Sequence, residues 1–235
     1  MNVILALLDA SPTSAAVARN AEALGRLLDL DVERVEAIGP DPERSLMATI
    51  SDRHGAYAVL ASRSSPPKPD VAGHVAQTIL TGSAIPLVVI PPVGRDLPDH
   101  APRVLLPLDG NHSTDVAVLD VADDLIGAGA TVSGLHVFDS STVPPFVGSA
   151  QEIAILAEEF FANHMPHHTV SCELRIGEPG PEILSHAEVL DVDAIIIAWS
   201  QDLSEGRGKT LRQLLRATTV PLILVPVQEP SEFQP

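Results

Sequence analysis

Apolar residues along this chain fall in short solid runs that alternate with longer stretches of spaced apolar positions. The first run, Val3 to Leu8, ends at Asp9 and passes through a polar turn into Ser14 to Leu28, where Ala, Val and Leu recur at helical spacing. The succession returns at Arg103 to Leu108, Asp109 and Thr114 to Ile126, so that Asp9 and Asp109 align at an offset of 100. Two later pairs of runs also match. Ile85 to Pro91 pairs with Val220 to Pro226 at an offset of 135, and Tyr57 to Ser62 pairs with Ala194 to Trp199 at 137. The jump in offset leaves about 36 extra residues inside the second copy, enough for one helix and one strand.

In the first copy the pattern predicts strands at 3–8, 32–38, 57–61 and 86–90, with helices at 13–28, 42–53 and 71–81. In the second it predicts strands at 103–108, 131–138, 169–175, 193–199 and 221–226, with helices at 113–127, 151–163, 180–189 and 209–217. Strands alternating with helices imply an α/β fold of parallel sheets covered on both faces, joined by right-handed crossovers. The expected architecture is two doubly wound, Rossmann-like units, the first shortened to about four strands. The units span 1–94 and 103–228, with a proline-rich linker at 95–102 and a tail at 229–235.

Composition narrows the class. An apolar content of 45% is too rich for disorder, and an aromatic content of 3% leaves the cores to Val, Ile, Leu and Ala, which suits a parallel sheet buried on both faces better than a β-sandwich. No apolar run approaches the roughly 20 residues of a membrane span. Met1 to Leu8 lacks the positive flank of a signal peptide and reads as a first strand. Cys172, alone, has no partner for an internal disulfide, so the cytoplasm is the expected compartment.

Charge excludes partners and suggests one. With 31 acidic and 14 basic residues the net charge is −17, which argues against nucleic acid and anionic membranes. Met1 to Gly94 carries 10 acidic and 7 basic residues, net −3, leaving 21 and 7, net −14, for the remainder. Within that acidic remainder, Leu203 to Arg216 holds Arg207, Lys209, Arg212 and Arg216 against only Glu205. An anion belongs in such a stretch. In open α/β sheets, ligands sit beyond the carboxyl ends of strands where the strand order reverses, and a helix N-terminus there offers unpaired N–H groups to phosphate. Gly206-Arg207-Gly208-Lys209-Thr210 stands at such a helix start, with one of the only two lysines, the other being Lys68.

Several residues admit two readings. Asp109 is either a ligand contact or a turn and helix-cap former. Trp199, the only tryptophan, either walls a site as a stacking face or blocks it. Leu203 to Thr210 ends like a phosphate-binding loop, but Leu203 stands where that motif begins with Gly, and few residues follow to supply an acidic Mg²⁺ partner. His164, His167 and His168 read as a solvated turn in preference to a metal cluster, because no nearby Cys or closely spaced carboxylate completes a ligand set. Cys172 reads as a packing residue. Asp123-Asp124 and Glu158-Glu159 read as solvated helix faces.

The order of elements and the terminal motifs resemble the universal stress protein family, in tandem. The carrying features are the strand ending in Asp with its Gly-containing turn (Leu105 to Asn111), a strand ending in a small residue, and a helix starting at Gly that leads into Val220 to Pro226. The resemblance implies a five-stranded doubly wound sheet. In ATP-binding members it also implies a Gly-x2-Gly-x9-Gly-Ser/Thr motif after the fourth strand. Here that motif meets Ala198, Gln201, Gly208 and Lys209 with a segment three residues short, and in the first copy Ala61, Ser64, Gly73 and His74, one residue short. By resemblance, the nucleotide-binding set comprises Asp109, Gly110, Asn111, Val137, Ala198, Trp199, Gly206, Gly208, Lys209 and Thr210. Asp109 takes the base or ribose side, the glycines and the Thr210 N–H take phosphate, and Lys209 supplies countercharge. The expected ligand is ATP, with Mg. Family members pair through edge strands, so the two units are expected to pair within the chain, and a homodimer stays open. Nucleotide-linked regulation and a ligand-free scaffold acting on an unknown protein client are the two functional readings. An NTP hydrolase has no candidate base, and no catalytic residue is assigned.

Overall fold

The computed structural model describes residues 3–9, 12–36, 42–52, 55–62, 74–139, 149–165, 170–202 and 208–227. The tail 229–235 lies outside these residues, as do Ser64, Lys68, Gly73, His167, His168, Gly206 and Arg207. Strands β1 (Val3–Leu8), β2 (Asp31–Glu36), β3 (Gly55–Ala61), β4 (Leu87–Ile90), β5 (Arg103–Leu108), β6 (Thr131–Phe138), β7 (Ser171–Ile176), β8 (Ala194–Trp199) and β9 (Leu222–Pro226) form one sheet. Between them run helices α1 (Ser14–Leu28), α2 (Pro42–Asp52), α3 (His74–Gly82), α4 (His112–Gly127), α5 (Ala150–His164), α6 (Pro179–Val189) and α7 (Lys209–Ala217). Each expected element is present, with ends shifted by a few residues, as fraying at element termini produces.

Strand order is β2-β1-β3-β4-β9-β8-β5-β6-β7. All neighbours are parallel except β4 and β9, which pair antiparallel with Leu87 opposite Leu224 and Val88 opposite Ile223. The sheet is therefore two doubly wound half-sheets fused through their inner strands. The extra residues of the second half are α5 and β7. Their absence from the first half leaves β2 as an outer edge.

Alternation along the strands builds a core on each face. Ile4, Ala6, Val104, Leu106, Ala194 and Ile196 point to the face covered by α1, α4 and α5, against Val17, Leu24, Val118, Leu125 and Phe161. Leu5, Leu7, Leu105, Ile195 and Leu222 point to the other, against Leu46, Ile79, Ile183 and Leu214 of α2, α3, α6 and α7. Each fully buried Leu or Ile contributes about 1.5–3 kcal/mol. Local signals set helix starts. Asn111 caps α4, Ser149 and Glu152 form a reciprocal capping box on α5, and Pro179 opens α6.

The segment expected as a linker is packed. Leu97 is buried, and its N–H donates to Oδ1 of Asn20, which is itself buried on α1. Asp96 accepts from Asn20 and Arg19, while Arg95 reaches Asp191 and the carbonyl of Val192 in the second half. Residues 95–97 thus stitch the halves together.

Candidate functional site

In the second half the chain leaves β5 toward β6 and β7, then returns to the opposite side of β5 as β8. The carboxyl ends of β5 and β8 therefore flank a reversal of strand order, the place where open α/β sheets hold ligands. Asp109, Gly110 and Asn111 follow β5. Trp199 ends β8, and Gly208 to Thr210 open α7.

The β5 side is a tightly tied turn. Oδ1 of Asp109 accepts from the N–H of Asn111 at 2.8 Å and also from the hydroxyl of Thr114. Asn111 is the cap of α4: its Oδ1 accepts from the N–H of Ser113 at 3.1 Å and from the Ser113 hydroxyl at 2.8 Å. Asp109 is thus the turn residue that delivers the cap. The device recurs at Asp9, whose Oδ1 accepts from the hydroxyl of Ser14 at 2.8 Å, with the same five-residue spacing. Gly110 has φ +83, and a Cβ there would lie 3.2 Å from the Phe160 ring and 3.8 Å from His136. The aromatic rings fill the space above the turn.

Those rings belong to a cluster of titratable groups. His136 of β6 stacks on Phe160 with centroids 4.0 Å apart, and Phe160 stacks on His164 at 4.3 Å. Phe138 meets His136 edge-on at 4.5 Å, and Nδ1 of His136 is 2.8 Å from the carbonyl of Leu108. Nδ1 of His164 lies 2.6 Å from Oδ2 of Asp115, whose side chain is 2% exposed. This ion pair sits off the line of a good hydrogen bond, so neither Asp115 oxygen has a hydrogen-bond partner. Burial pushes the Asp115 carboxyl above its ordinary range, the nearby Asp109 adds to this, and His164 opposes it. Burial lowers the His136 ring, with His164 nearby acting the same way.

His164 is therefore not part of a solvated turn. It is the last residue of α5 and closes over a buried carboxylate on α4. The sequence reading missed Asp115, His136 and Phe160. A signal existed for Asp115, because it falls on the helical stripe of Val118, Ala122 and Leu125 that faces the core.

On the β8 side, Trp199 is 4% exposed and its Nε1 donates to the carbonyl of Leu80, on α3 of the first half, at 3.0 Å. The side chain of Gln201 donates to the carbonyl of Ser83. The end of β8 is in this way sewn to the first half. Ala198 and Val137 are half-buried and pack on opposite faces of the sheet. At α7, Gly208 takes the left-handed conformation with φ +61, which favours Gly. Lys209 is exposed, and its Nζ lies 2.7 Å from Oε1 of Glu178 at the start of α6. The same oxygen accepts from Gln213 at 2.7 Å. Lys209, then Gln213, hold the Glu178 carboxyl below its ordinary range, and Glu178 raises the lysine, with Asp139 adding a smaller pull. Thr210, half-buried, follows in the first turn of α7.

Cys172 lies on β7 beside Gly134, Phe161 and Met165, and burial pushes its thiol up. The residue is exposed on the outer strand with its Sγ against Gly134, and it lacks the lowered pKa of a reactive thiol. Asp123, Asp124, Glu158 and Glu159 are exposed on their helices.

A parallel, doubly wound half-sheet with an Asp-led turn after its first strand defines a Rossmann-like class of α/β protein. Residues 101–226 match the model of the universal stress protein family, and the chain belongs to that family. A universal stress protein from Archaeoglobus fulgidus DSM 4304 is 15% identical, with 97% of each chain covered and a TM-score of 0.65. A Pseudomonas aeruginosa UCBPP-PA14 protein assigned to the same family is 13% identical over 97% of this chain and 94% of that one, with a TM-score of 0.68. At such identities they share the fold, and they share it over both halves. A universal stress protein solved in complex with cAMP aligns with 55% of this chain and 99% of its own, at 13% identity and a TM-score of 0.42, too distant to locate a ligand here. No curated protein matches the sequence. No described helix is long and apolar enough to cross a membrane.

Proposed function

We propose that this chain is a regulatory protein of the universal stress type that takes the phosphates of a nucleotide at the strand-order reversal of its second half. The observation that carries the reading is the start of α7 there, where Gly208 holds the left-handed turn into the helix and Lys209 supplies a cation. Glu178 is the occupant a phosphate must displace from Lys209. Mg²⁺, which binds through substrate phosphates and water with one or two carboxylates, would arrive on the phosphates of ATP.

A second reading, a ligand-free scaffold, is favoured by Trp199 and Phe160. The indole is spent on the junction with α3, and the phenyl ring covers Gly110, leaving the base side of the reversal occupied by protein. Titration calorimetry of Mg-ATP and AMP into nucleotide-stripped protein separates the two. Saturable binding weakened about tenfold by Lys209→Ala, and strengthened by Glu178→Gln, supports the phosphate reading. No heat with ATP, together with an unchanged melting temperature, supports the scaffold.

A further inference from the structure

Helices α1 and α5 are both 15 residues long, but α1 buries seven of its residues and α5 only Phe161. Beside α5 lies a cleft of about 510 Å³ lined by Ala154, Ala157, Phe161, Met165 and Cys172, so the helix is not packed down along its length. The capping box at its start ties Ser149 to Glu152, within the helix itself. What fastens α5 to the body is therefore concentrated in its last turns, at Phe160, Phe161 and His164.

Two of these residues do different work from one face. Phe160 and His164 stand four apart, so they point the same way. His164 meets Asp115 of α4. Phe160 lies between the rings of His164 and His136, and it covers Gly110 at 3.2 Å from where a Cβ would stand. His136 stays with the sheet, because its Nδ1–H is donated to the carbonyl of Leu108. One movement of the end of α5 thus parts His164 from Asp115 and lifts Phe160 off the Asp109–Gly110 turn.

Proton count decides when that movement is favoured. With one proton between Asp115 and His164 the pair carries no net charge. Once that proton is lost, Asp115 is a buried carboxylate with no hydrogen bond to either oxygen, and it is relieved only by the water that reaches it when α5 moves away. A second proton leaves the charge on His164, which is 21% exposed and already meets water. The contact therefore weakens as pH rises. The upward push on the Asp115 carboxyl, from burial and then from Asp109, has the same sense, since a raised carboxyl stabilises the fold below its unfolded value and ceases to as pH climbs through the folded one. The other groups around the pair do not reverse this. Asp109, on the turn after β5, is tied to the Asn111 N–H and the Thr114 hydroxyl. His136, on β6, is held neutral by burial and by His164. His112, one turn earlier on α4, is exposed, and the residues one turn before His164 on α5 are Phe160 and Phe161.

We propose that Asp115 and His164 form a proton-held latch on the carboxyl end of α5, which keeps Phe160 over Gly110 and closes the base side of the strand-order reversal until rising pH releases it. What the opened turn receives rests on the nucleotide reading above, whereas the latch does not.

The latch is tested on the full chain, without ligand, by hydrogen exchange from about pH 5 to about pH 9, each rate divided by the intrinsic rate at that pH. Protection of residues 159–165 is expected to fall about tenfold as pH rises, with α1 unchanged. Asp115→Asn has no proton to lose and is expected to keep the high protection throughout. His164→Gln is expected to lose protection at lower pH than the unaltered chain, because Asp115 alone must then hold the proton and an exposed carboxyl gives it up near about pH 4. Titration calorimetry with Mg-ATP at the two ends of the range reads the site. Binding is expected to be about tenfold tighter at the alkaline end, Asp115→Asn to lack that gain although the groups of ATP still titrate, and Phe160→Ala to bind at the alkaline strength throughout. Protection that ignores pH, or that changes equally in Asp115→Asn, overturns the latch. Protection that follows the latch with ATP binding alike in Asp115→Asn, Phe160→Ala and the unaltered chain overturns the closure of the site. Protection that follows the latch while ATP binds at neither pH supports the latch and removes the nucleotide reading alone.

Discussion

Asp115 carries the least comfortable charge in the described structure. It is buried at the first turn of α4, where a helix N-terminus favours an anion, and it has His164 beside it. Its carboxyl is nonetheless pushed up, first by burial and then by Asp109, so desolvation outweighs the pair. A carboxyl whose folded pKa is raised contributes its stability fully below the unfolded value of 3.8, and loses it as the pH climbs through the folded value. Asparagine keeps the shape and cannot ionise. Asp115→Asn is therefore expected to melt above the unaltered protein near pH 8, with the gap closing on acidification, as a thermal melt at each pH will report. A variant less stable at neutral pH would mean that the charge contact with His164 is worth more than the burial costs. Lys209 teaches a related lesson. Its place at a helix start was legible in the sequence, but its partner Glu178 opens a different helix, and only the fold brings the two to 2.7 Å.

The clearest difference between the halves lies in α5 and β7, and two residues record it. The register pairs Ala6 with Arg34 on β2 and Leu106 with Gly134 on β6, so Arg34 and Gly134 hold equivalent places. Gly134 is small because α5 and β7 crowd it. A Cβ there would meet Cys172 Sγ at 3.1 Å, Phe161 at 3.2 Å and Met165 Sδ at 3.3 Å. Arg34 faces no such elements, and its exposed head pairs with Glu22. Gly134→Ala is expected to cost about 1–3 kcal/mol by overpacking, and Arg34→Ala under about 1 kcal/mol, the worth of a surface ion pair. Denaturant midpoints measure both. Equal costs would remove the crowding argument. The existence of an extra helix and strand was readable from the jump in offset, because apolar runs report elements directly. Which side chains the extra helix packs was not readable, because that depends on the register of β6 against β5. Phe160 went unread, and His164 was read as part of a solvated turn, for the same reason: what the end of α5 covers depends on that register.

At the scale of the molecule, the repeat foretold two units but not how completely they merge. The antiparallel ladder of Leu87 and Val88 with Leu224 and Ile223 makes one sheet of two. The hydrogen bond of Trp199 to Leu80, and the contacts of the adjacent Arg95 and Asp96, then tie the two halves together from two separate segments. Cutting between the halves would expose the edges of β4 and β9 and leave the buried Asn20 and the Leu97 N–H without each other, each such orphan costing about 1–3 kcal/mol. Neither half can therefore open without withdrawing apolar and polar partners from the other, which is the condition for a single cooperative unit. The only tryptophan sits at that junction, so its fluorescence reports the boundary while far-ultraviolet circular dichroism reports all helices and strands. Denaturant melts followed by the two signals are expected to coincide in one transition. A tryptophan signal that moves first, ahead of the loss of secondary structure, would show the junction parting while both half-sheets persist, and the fusion would then be a contact between independent folding units.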